Sequence, residues 1–294
     1  MAEETEIAII GAGPAGVSAA LYAHRAGKQV LVIHRGIGTS SLTRAEGIEN
    51  YYGMSEPVTG AELERRGIEG AERIGVPFAQ ADVMGLRLTD AMDGYIIETG
   101  SGGIRAKAVV LATGSSRKTV SIPGIAEFAG KGVSYCAICD AFFYRGKTVA
   151  VLGAGEYALH EAQDLKPHAA KLYLLTNGEQ PSFPMPDWME VRTEKLEAVE
   201  GDGRVQSVRF ADGGSLPIDG VFIALGTAGS TELARKAGIL LDGSKIRVDE
   251  QMATNMPGLF AAGDATGGLL QVAKAVYDGA RAGLSAVQYL RKQK

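Results

Sequence analysis

The chain contains two copies of a strand–glycine turn–helix unit, and this duplication limits its possible folds more than any other feature. In the first copy, an apolar run at residues 7–10 leads into Gly-Ala-Gly-Pro-Ala-Gly at 11–16. A helical pattern over 17–26 and a strand at 29–33 follow. Glycines at this spacing allow a tight turn and let the backbone approach a pyrophosphate at the helix N-terminus. The unit therefore predicts a dinucleotide-binding loop.

The second copy has the same order of elements. A strand at residues 148–152 leads into Gly-Ala-Gly-Glu-Tyr-Ala at 153–158, followed by a helix over 159–165 and a strand at 172–175. Two such units, well separated in a chain of 294 residues, predict two domains. The predicted fold class is α/β, with two Rossmann-like dinucleotide-binding domains.

Apolar patterns and glycines also predict the remaining elements and the hinges. Strands are predicted at 95–98 and 106–112. A further predicted strand runs into a glycine–aspartate turn at 258–264, and a long helix is predicted over 272–290. Candidate hinges are residues 117–124 and 243–247.

Cys136 and Cys139 are the only two cysteines, and Asp140 follows them directly. Two thiols at this spacing can form a disulfide and reopen it, and a neighbouring carboxylate can move a proton. A dithiol next to nucleotide-binding units indicates electron transfer from a cofactor to a disulfide. The alternative role for Asp140 is to cap a helix, and the alternative role for the two cysteines is to form half of a zinc site. We predict no metal, because the histidines make no recognisable ligand pair with the cysteines; they are His24, His34, His160 and His168.

Charge and composition indicate where the protein works. A net charge of −4 gives no overall basic field that would attract nucleic acid or an anionic membrane. No apolar run reaches the length of a membrane span, and the acidic start at residues 1–6 is not a signal peptide. Two cysteines without an export signal favour a reducing compartment. We therefore expect a cytoplasmic protein that binds neither nucleic acid nor membrane.

Taken together and in order, the motifs resemble the low-molecular-weight thioredoxin reductases over essentially the whole chain. The motifs are Gly11 to Gly16, Glu49-Asn50-Tyr51, Ala112-Thr113-Gly114, Tyr135 to Tyr144 around the dithiol, Gly153 to Ala158, and Phe260 to Asp264. The resemblance implies a homodimer whose FAD-binding domain comprises residues 1–116 and 247–294. It also implies an inserted pyridine-nucleotide-type domain, residues 117–246, which carries the dithiol and rotates between two states.

The resemblance also implies roles for individual residues. Cys139 would be the flavin-proximal thiol, Cys136 the interchange thiol that attacks the partner's disulfide, and Asp140 the acid–base residue. The implied FAD-binding residues are Gly11, Gly13, Pro14, Ala15, Gly16, Arg35, Asn50, Val83, Ala112, Thr113, Gly114, Gly263, Asp264, Gln271 and Val272.

The chain departs from the family pattern mainly where the electron donor would bind. Asn177-Gly178 replaces the paired arginines that hold the 2′-phosphate of NADPH, and the next arginine is Arg192. Three further positions differ from the family, namely Tyr157, His160 and Leu270. At the first site, Ile33-His34-Arg35 stands where a ribose-binding carboxylate is expected. The departures resemble atypical members that do not depend on pyridine nucleotide, some of which use ferredoxin.

The predicted function is an FAD-dependent disulfide reductase that passes electrons through Cys136 and Cys139 to thioredoxin or a similar protein. Its donor is expected to be ferredoxin or another molecule, not NADPH. Alternatives are NADH as donor with Glu179 on the ribose, a dithiol oxidase that reduces oxygen, and a non-catalytic flavin-binding redox sensor. Phe142 and Phe143 are expected in the core, and if exposed they would be a docking patch for a protein substrate.

Overall fold

The chain folds into two compact units in a computed structural model that describes residues 3–114, 121–135, 137–225 and 230–293. The first unit comprises Met1–Ser116 and Gly229–Lys294, and the second comprises Arg117–Ala228. Our predicted second boundary, after residue 246, differs from this division. Helix α5 (Ser230–Lys236) packs on strand β4 (Val83–Leu88) of the first unit, and Lys236 Nζ donates a hydrogen bond to the Met84 carbonyl of that strand (3.1 Å). The sequence gives no local signal for this long-range contact.

The first unit is built on a seven-stranded sheet whose strands are β1 Glu3–Ile10, β2 Val30–His34, β3 Phe78–Gln80, β4 Val83–Leu88, β5 Tyr95–Thr99, β6 Gly102–Leu111 and β17 Leu259–Ala261. The strand order is β3-β2-β1-β6-β5-β4, with β17 also paired to β6, while β15 Leu241–Asp242 and β16 Lys245–Ile246 form a separate two-stranded sheet. The helices of this unit are α1 Pro14–Arg25, α2 Gly60–Arg73, α5 and α6 Val272–Lys292. Strands β3, β2, β1, β6 and β17 pair in parallel, whereas β4 and β5 form an antiparallel extension on the first half of β6.

Helices α1 and α6 cover the parallel part of this sheet. Ile7 and Ile9 of β1 and Val32 of β2 are fully buried in the core beneath them. The Ser18 hydroxyl of α1 donates to the Val276 carbonyl of α6 (2.7 Å), which ties the first helix of the chain to the last. Both chain ends therefore build one core, and the carboxyl ends of the parallel strands meet at one edge.

The second unit repeats this plan on a smaller scale. Its strands are β7 Val133–Ser134, β8 Thr148–Leu152, β9 Lys171–Leu175, β10 Glu190–Arg192, β11 Leu196–Gly201, β12 Val205–Phe210, β13 Ser215–Pro217 and β14 Gly220–Ile223, and its helices are α3 Ala137–Asp140 and α4 Glu156–Leu165. The parallel sheet has the order β10-β9-β8-β14-β7, and a separate antiparallel sheet has the order β11-β12-β13. Leu152, Phe210 and Val221 lie in its buried core. The predicted pair of Rossmann-like folds is confirmed.

Several predicted elements correspond closely to those observed. The predicted strand at 148–152 coincides with β8, and the predicted helices at 17–26 and 272–290 differ from α1 and α6 by a few residues at their ends. Among the described residues, no helix combines the length and apolar character needed to cross a membrane.

Candidate functional site

The first glycine loop joins β1 to α1. A Cβ on Gly16 would lie 1.8 Å from the Gly11 carbonyl oxygen, so the helix can approach the loop this closely only with glycine there. A Cβ on Gly13 would meet no described atom within 4 Å, so this face of the loop is open. Gly13 is the N-cap of α1, Pro14 is its first residue, and the first turn carries no acidic side chain. The positive end of α1 is therefore available to an anionic group such as a pyrophosphate.

Other predicted cofactor residues come to the same edge of the sheet. Ala112 follows β6, and its N–H donates to the Ile10 carbonyl at the end of β1 (2.8 Å). Gly263 follows β17, and a Cβ built on it would lie 2.9 Å from that of Ala15. Segments that are far apart in the sequence thus converge on the first loop.

Asn50 and Gln271 are also brought together. Asn50 Nδ2 donates to Gln271 Oε1 (3.0 Å), although the two residues are 221 positions apart. Gln271 is the N-cap of α6 and Val272 is the first residue of that helix. The sequence resemblance had assigned Asn50, Gln271 and Val272 to one cofactor, and this contact is consistent with that assignment.

Three buried polar atoms near this edge have no hydrogen-bond partner among the described residues. They are His34 Nδ1 at the end of β2, Ser40 Oγ in the following loop, and Thr113 Oγ1 after β6. Buried polar atoms are rarely left unpaired in native proteins, so a ligand with hydrogen-bonding groups fits this edge. Thr113 was predicted as a binding residue. His34 and Ser40 were not, although the absence of a carboxylate at the end of β2 was the signal that could have identified His34.

Two predicted cofactor residues have less distinctive surroundings. Arg35 is exposed, and its Nη2 lies 3.5 Å from the Thr39 carbonyl oxygen. Val83 is buried at the start of β4, which β5 and β6 separate from β1. Their assignment to the cofactor stays a prediction.

Lys274 on α6 holds the loop that contains Gly263 and Asp264. Its Nζ donates to the carbonyls of Gly263 (2.9 Å) and Gly267 (2.6 Å) and to the Thr266 hydroxyl (2.9 Å). The same atom lies 2.7 Å from the carboxylate of Asp278, which also accepts the N–H of Gly263 (3.1 Å). Because Asp278 is buried, this ion pair is a structural support of the loop.

The dithiol segment lies in the second unit, where Cys136 follows β7 in the sequence and Cys139 belongs to the short helix α3. Cys136 and the side chain of Cys139 lie outside the described residues. Asp140, the last residue of α3, accepts a hydrogen bond from the buried hydroxyl of Ser134 (2.7 Å). Asp140 also stands before a 3-10 turn, Ala141–Tyr144, but makes no side-chain cap hydrogen bond there. The Ser134 bond orients the carboxylate that was predicted to exchange protons with the dithiol.

A buried carboxylate that the sequence analysis missed contacts α3. Glu161 on α4 is 1% exposed, and its Oε2 accepts the Ala137 N–H at 2.7 Å. Its Oε1 lies 3.9 Å from Nδ1 of His160, which is in turn 3.8 Å from an Asp164 carboxylate oxygen. No sequence pattern indicates this contact, because it joins residues 24 positions apart in two different helices.

The expected burial of Phe142 and Phe143 is wrong. The two residues are 65% and 69% exposed, and they pack edge to face on each other. The guanidinium of Arg145 lies over the Phe142 ring, 4.9 Å from its centre. They are exposed because the 3-10 turn after α3 directs them away from the core, which Ala141 and Tyr144 of the same turn enter. The two rings are therefore exposed three and four residues beyond Cys139 in the sequence, as the docking alternative requires, and docking itself stays a prediction.

The second glycine loop joins β8 to α4, with Gly155 as the N-cap of the helix. Tyr157, one of the positions that differ from the family pattern, is on the first turn of α4 and is 3% exposed. The N–H of Ser182 donates to the Ala154 carbonyl in the loop (2.8 Å), so a later segment of the same unit is bonded to the loop.

The residues beyond β9 are engaged within the unit. Asn177 Oδ1 accepts the N–H of Leu196 (2.8 Å). Arg192, the next arginine, forms an ion pair with Glu194 at 2.7 Å and lies over the Phe210 ring. The pKa of Arg192 is raised by its hydrogen bond to Glu194. The phosphate-binding arginines are thus replaced, and Arg192, the next arginine in the sequence, is paired with Glu194 within the unit.

Comparisons with known proteins agree with this architecture. The family model described as pyridine nucleotide-disulphide oxidoreductase matches residues 5–279. The thioredoxin reductase of Bacillus subtilis (strain 168) is 33% identical over 311 residues, which cover 99% of this chain and 97% of that protein. The crystal structure of the atypical thioredoxin reductase TRi from Desulfovibrio vulgaris Hildenborough has a TM-score of 0.90 and 39% identity, over 98% of this chain and 99% of that one. A ferredoxin-flavin thioredoxin reductase from Clostridium acetobutylicum has a TM-score of 0.74 and 32% identity, over 99% and 100%.

Proposed function

Because the chain belongs to the pyridine nucleotide-disulphide oxidoreductase family and is a flavoprotein disulfide reductase of the thioredoxin reductase type, we propose a specific electron path through it. Electrons pass through Cys136 and Cys139 to thioredoxin or a similar small protein, and they come from a donor other than NADPH. The observation that carries the choice of donor is Asn177: it stands where an arginine would hold a 2′-phosphate, and its side chain is bonded to Leu196.

The first unit fits FAD. The open face at Gly13, the uncompensated N-terminus of α1 and the three unpartnered polar atoms would hold the dinucleotide. FAD, when bound, supplies an acceptor and donor of electron pairs. Lys274 would hold the loop of Gly263 and Asp264 in place beside it.

The dithiol chemistry uses this chain's own residues. The Cys136 thiolate attacks one sulfur of the partner's disulfide, forming a mixed disulfide and releasing the other partner sulfur as a thiolate. The Cys139 thiolate then attacks Cys136, which releases the second partner thiolate and leaves Cys136 and Cys139 joined as a disulfide. Asp140, oriented by Ser134, exchanges the protons at these sulfurs. Each cycle reduces one partner disulfide by two electrons.

Ferredoxin is the donor we propose to test first, because the similar Clostridium acetobutylicum protein is described as a ferredoxin-flavin thioredoxin reductase. The experiment is an anaerobic titration of the purified flavoprotein with NADPH, then NADH, then reduced ferredoxin, followed by the flavin absorbance. We expect bleaching with ferredoxin alone. Bleaching by NADPH would refute the proposed donor. Oxygen consumption driven by small dithiols, without thioredoxin reduction, would instead support a dithiol oxidase.

One observation favours NADH as a second candidate. Thr176 Oγ1, just beyond β9, is buried and has no hydrogen-bond partner among the described residues. Glu179 follows in the next turn, where its N–H donates to the Thr176 carbonyl (3.1 Å). Rapid bleaching by NADH, abolished by T176V, would establish this alternative.

Thioredoxin reduction through Cys136 is tested separately from the electron donor. Cys136→Ser should abolish thioredoxin reduction while the flavin remains reducible by dithionite. A Cys136→Ser variant that retained full turnover would refute the assigned path. Multiple turnovers by the parent would exclude the redox-sensor alternative. The homodimer and the cytoplasmic location implied by the sequence stay predictions.

A further inference from the structure

Helix α4, which begins at the second glycine loop, also supports the dithiol segment. The Ala137 nitrogen that Glu161 contacts is bonded directly to the carbonyl carbon of Cys136. We propose that Glu161 is a positioning residue for the dithiol, which fixes the peptide group between Cys136 and Ala137 and thereby the start of α3. This inference rests on the proposed role of Cys136 as the interchange thiol.

The surroundings of Glu161 favour an anchoring role. The side chain is 1% exposed and Ala137 is fully buried, so water cannot replace either partner of the 2.7 Å bond. A hydrogen bond from an N–H to a carboxylate is stronger than one between neutral groups, and a buried N–H without a partner is costly. Helix α3 has only four residues and cannot hold its own first turn by length. Its start therefore depends on contacts from outside the helix.

Reach and charge can be separated by two substitutions at the same position. Glu161→Gln keeps the length of the side chain and an acceptor oxygen but removes the charge. Glu161→Asp keeps the charge but is one methylene shorter, so its carboxylate withdraws from the Ala137 N–H. Glu161→Ala removes both. Asp164→Asn, on the same helix, is the matched control.

The assay is independent of the electron donor and of thioredoxin. The protein is reduced with dithiothreitol, desalted, and mixed with the disulfide DTNB, and thionitrobenzoate release is followed by stopped flow. Cys136 and Cys139 become a disulfide as one DTNB is reduced to two thionitrobenzoate ions. Flavin content and far-UV circular dichroism identify any variant that fails to fold.

We expect Glu161→Asp and Glu161→Ala to exchange about tenfold more slowly, the size expected when a buried charge-assisted hydrogen bond is lost. Glu161→Gln and the Asp164→Asn control should remain within about threefold of the parent. The proposal would be overturned if all variants exchanged with DTNB at the parent rate. It would also be overturned if Glu161→Asp kept the parent rate and Glu161→Gln did not. If Glu161→Ala does not fold, the Gln and Asp comparison still decides. If the DTNB exchange rates of the variants follow the expected order but the parent does not reduce thioredoxin, the proposed function is refuted and this inference stands.

Discussion

The ion pair between Lys274 and Asp278 makes a quantitative prediction about the cofactor loop. Replacing Lys274 with methionine keeps most of the apolar stem but removes the ammonium group. That group has four partners between 2.6 and 2.9 Å, including the carbonyls of Gly263 and Gly267. The substitution leaves the Asp278 carboxylate buried without its cation.

The loss of stability in K274M can be estimated from the burial of the Asp278 and Lys274 side chains. The side chain of Asp278 is 4% exposed and that of Lys274 is 20% exposed. Breaking a buried pair by removing one partner costs about 3–5 kcal/mol, and the partial exposure of Lys274 favours the lower end, about 3 kcal/mol. For a domain of this size each kcal/mol shifts the melting temperature by about 2–4 °C, so K274M should melt about 6–12 °C below the parent.

Thermal unfolding of the flavin-free protein, followed by far-UV circular dichroism, measures this loss. Lys245→Met is the matched control, because Lys245 Nζ donates to the Asp264 carbonyl in the same loop (3.1 Å). It should cost about 1 kcal/mol. The double variant K274M/D278N should recover part of the stability, since an asparagine oxygen can still accept the Gly263 N–H. If K274M melted like the parent, or if the double variant were no more stable than K274M, the argument from a buried ion pair would be refuted.

Three further predictions concern the cofactor, the partner and acid stability. His34→Ala should weaken FAD binding about tenfold if His34 Nδ1 bonds the cofactor, and flavin fluorescence during reconstitution of the apoprotein measures this. Replacing Phe142 and Phe143 by alanine should raise KM for thioredoxin about tenfold and leave DTNB exchange unchanged; an unaltered KM would exclude a docking role. The hydrogen bond from Arg65 lowers the pKa of Glu62 from 4.5 to about 2, so the ionised carboxylate stabilises the fold above that range. The difference in melting temperature between the parent and Glu62→Gln should therefore be full above pH 4.5 and shrink as pH falls toward 2.

The elements that the sequence predicts well are those with strong local signals. Strand β8 has four consecutive apolar residues after Thr148 and ends in a glycine turn, and its predicted bounds match. Strands β11–β13 were not predicted, because charged residues such as Glu197, Glu200 and Arg209 interrupt their apolar alternation. In the structure Arg209 forms ion pairs with both glutamates across β11 and β12. Local pattern therefore identified the strands on either side of each glycine loop and not the separate antiparallel sheet of β11–β13.

Parts of the site depended on contacts that no local pattern contains. Lys274 and Asp278 are spaced as an ordinary exposed helix pair, and only the packing of α6 shows that Asp278 is buried. The exposure of Phe143 likewise depends on which residues of the 3-10 turn enter the core. Residue types therefore predicted the chemistry, while the supports of that chemistry required the fold.

The second glycine loop shows why a glycine fingerprint does not by itself establish a nucleotide site. A Cβ on Gly153 would lie 2.2 Å from the carbonyl oxygen of Ala224, so packing against the neighbouring strand requires glycine even without a ligand. The helix that begins at this loop then brings Glu161 to Ala137, beside the dithiol. Loop and helix thus have a structural role whether or not a nucleotide binds. The residues that follow β9 distinguish a nucleotide site from a structural loop. Here Asn177 is bonded to Leu196 within the unit instead of facing a phosphate as an arginine would. A nucleotide-type unit can therefore support a dithiol segment even where, as we propose, the electrons come from another donor.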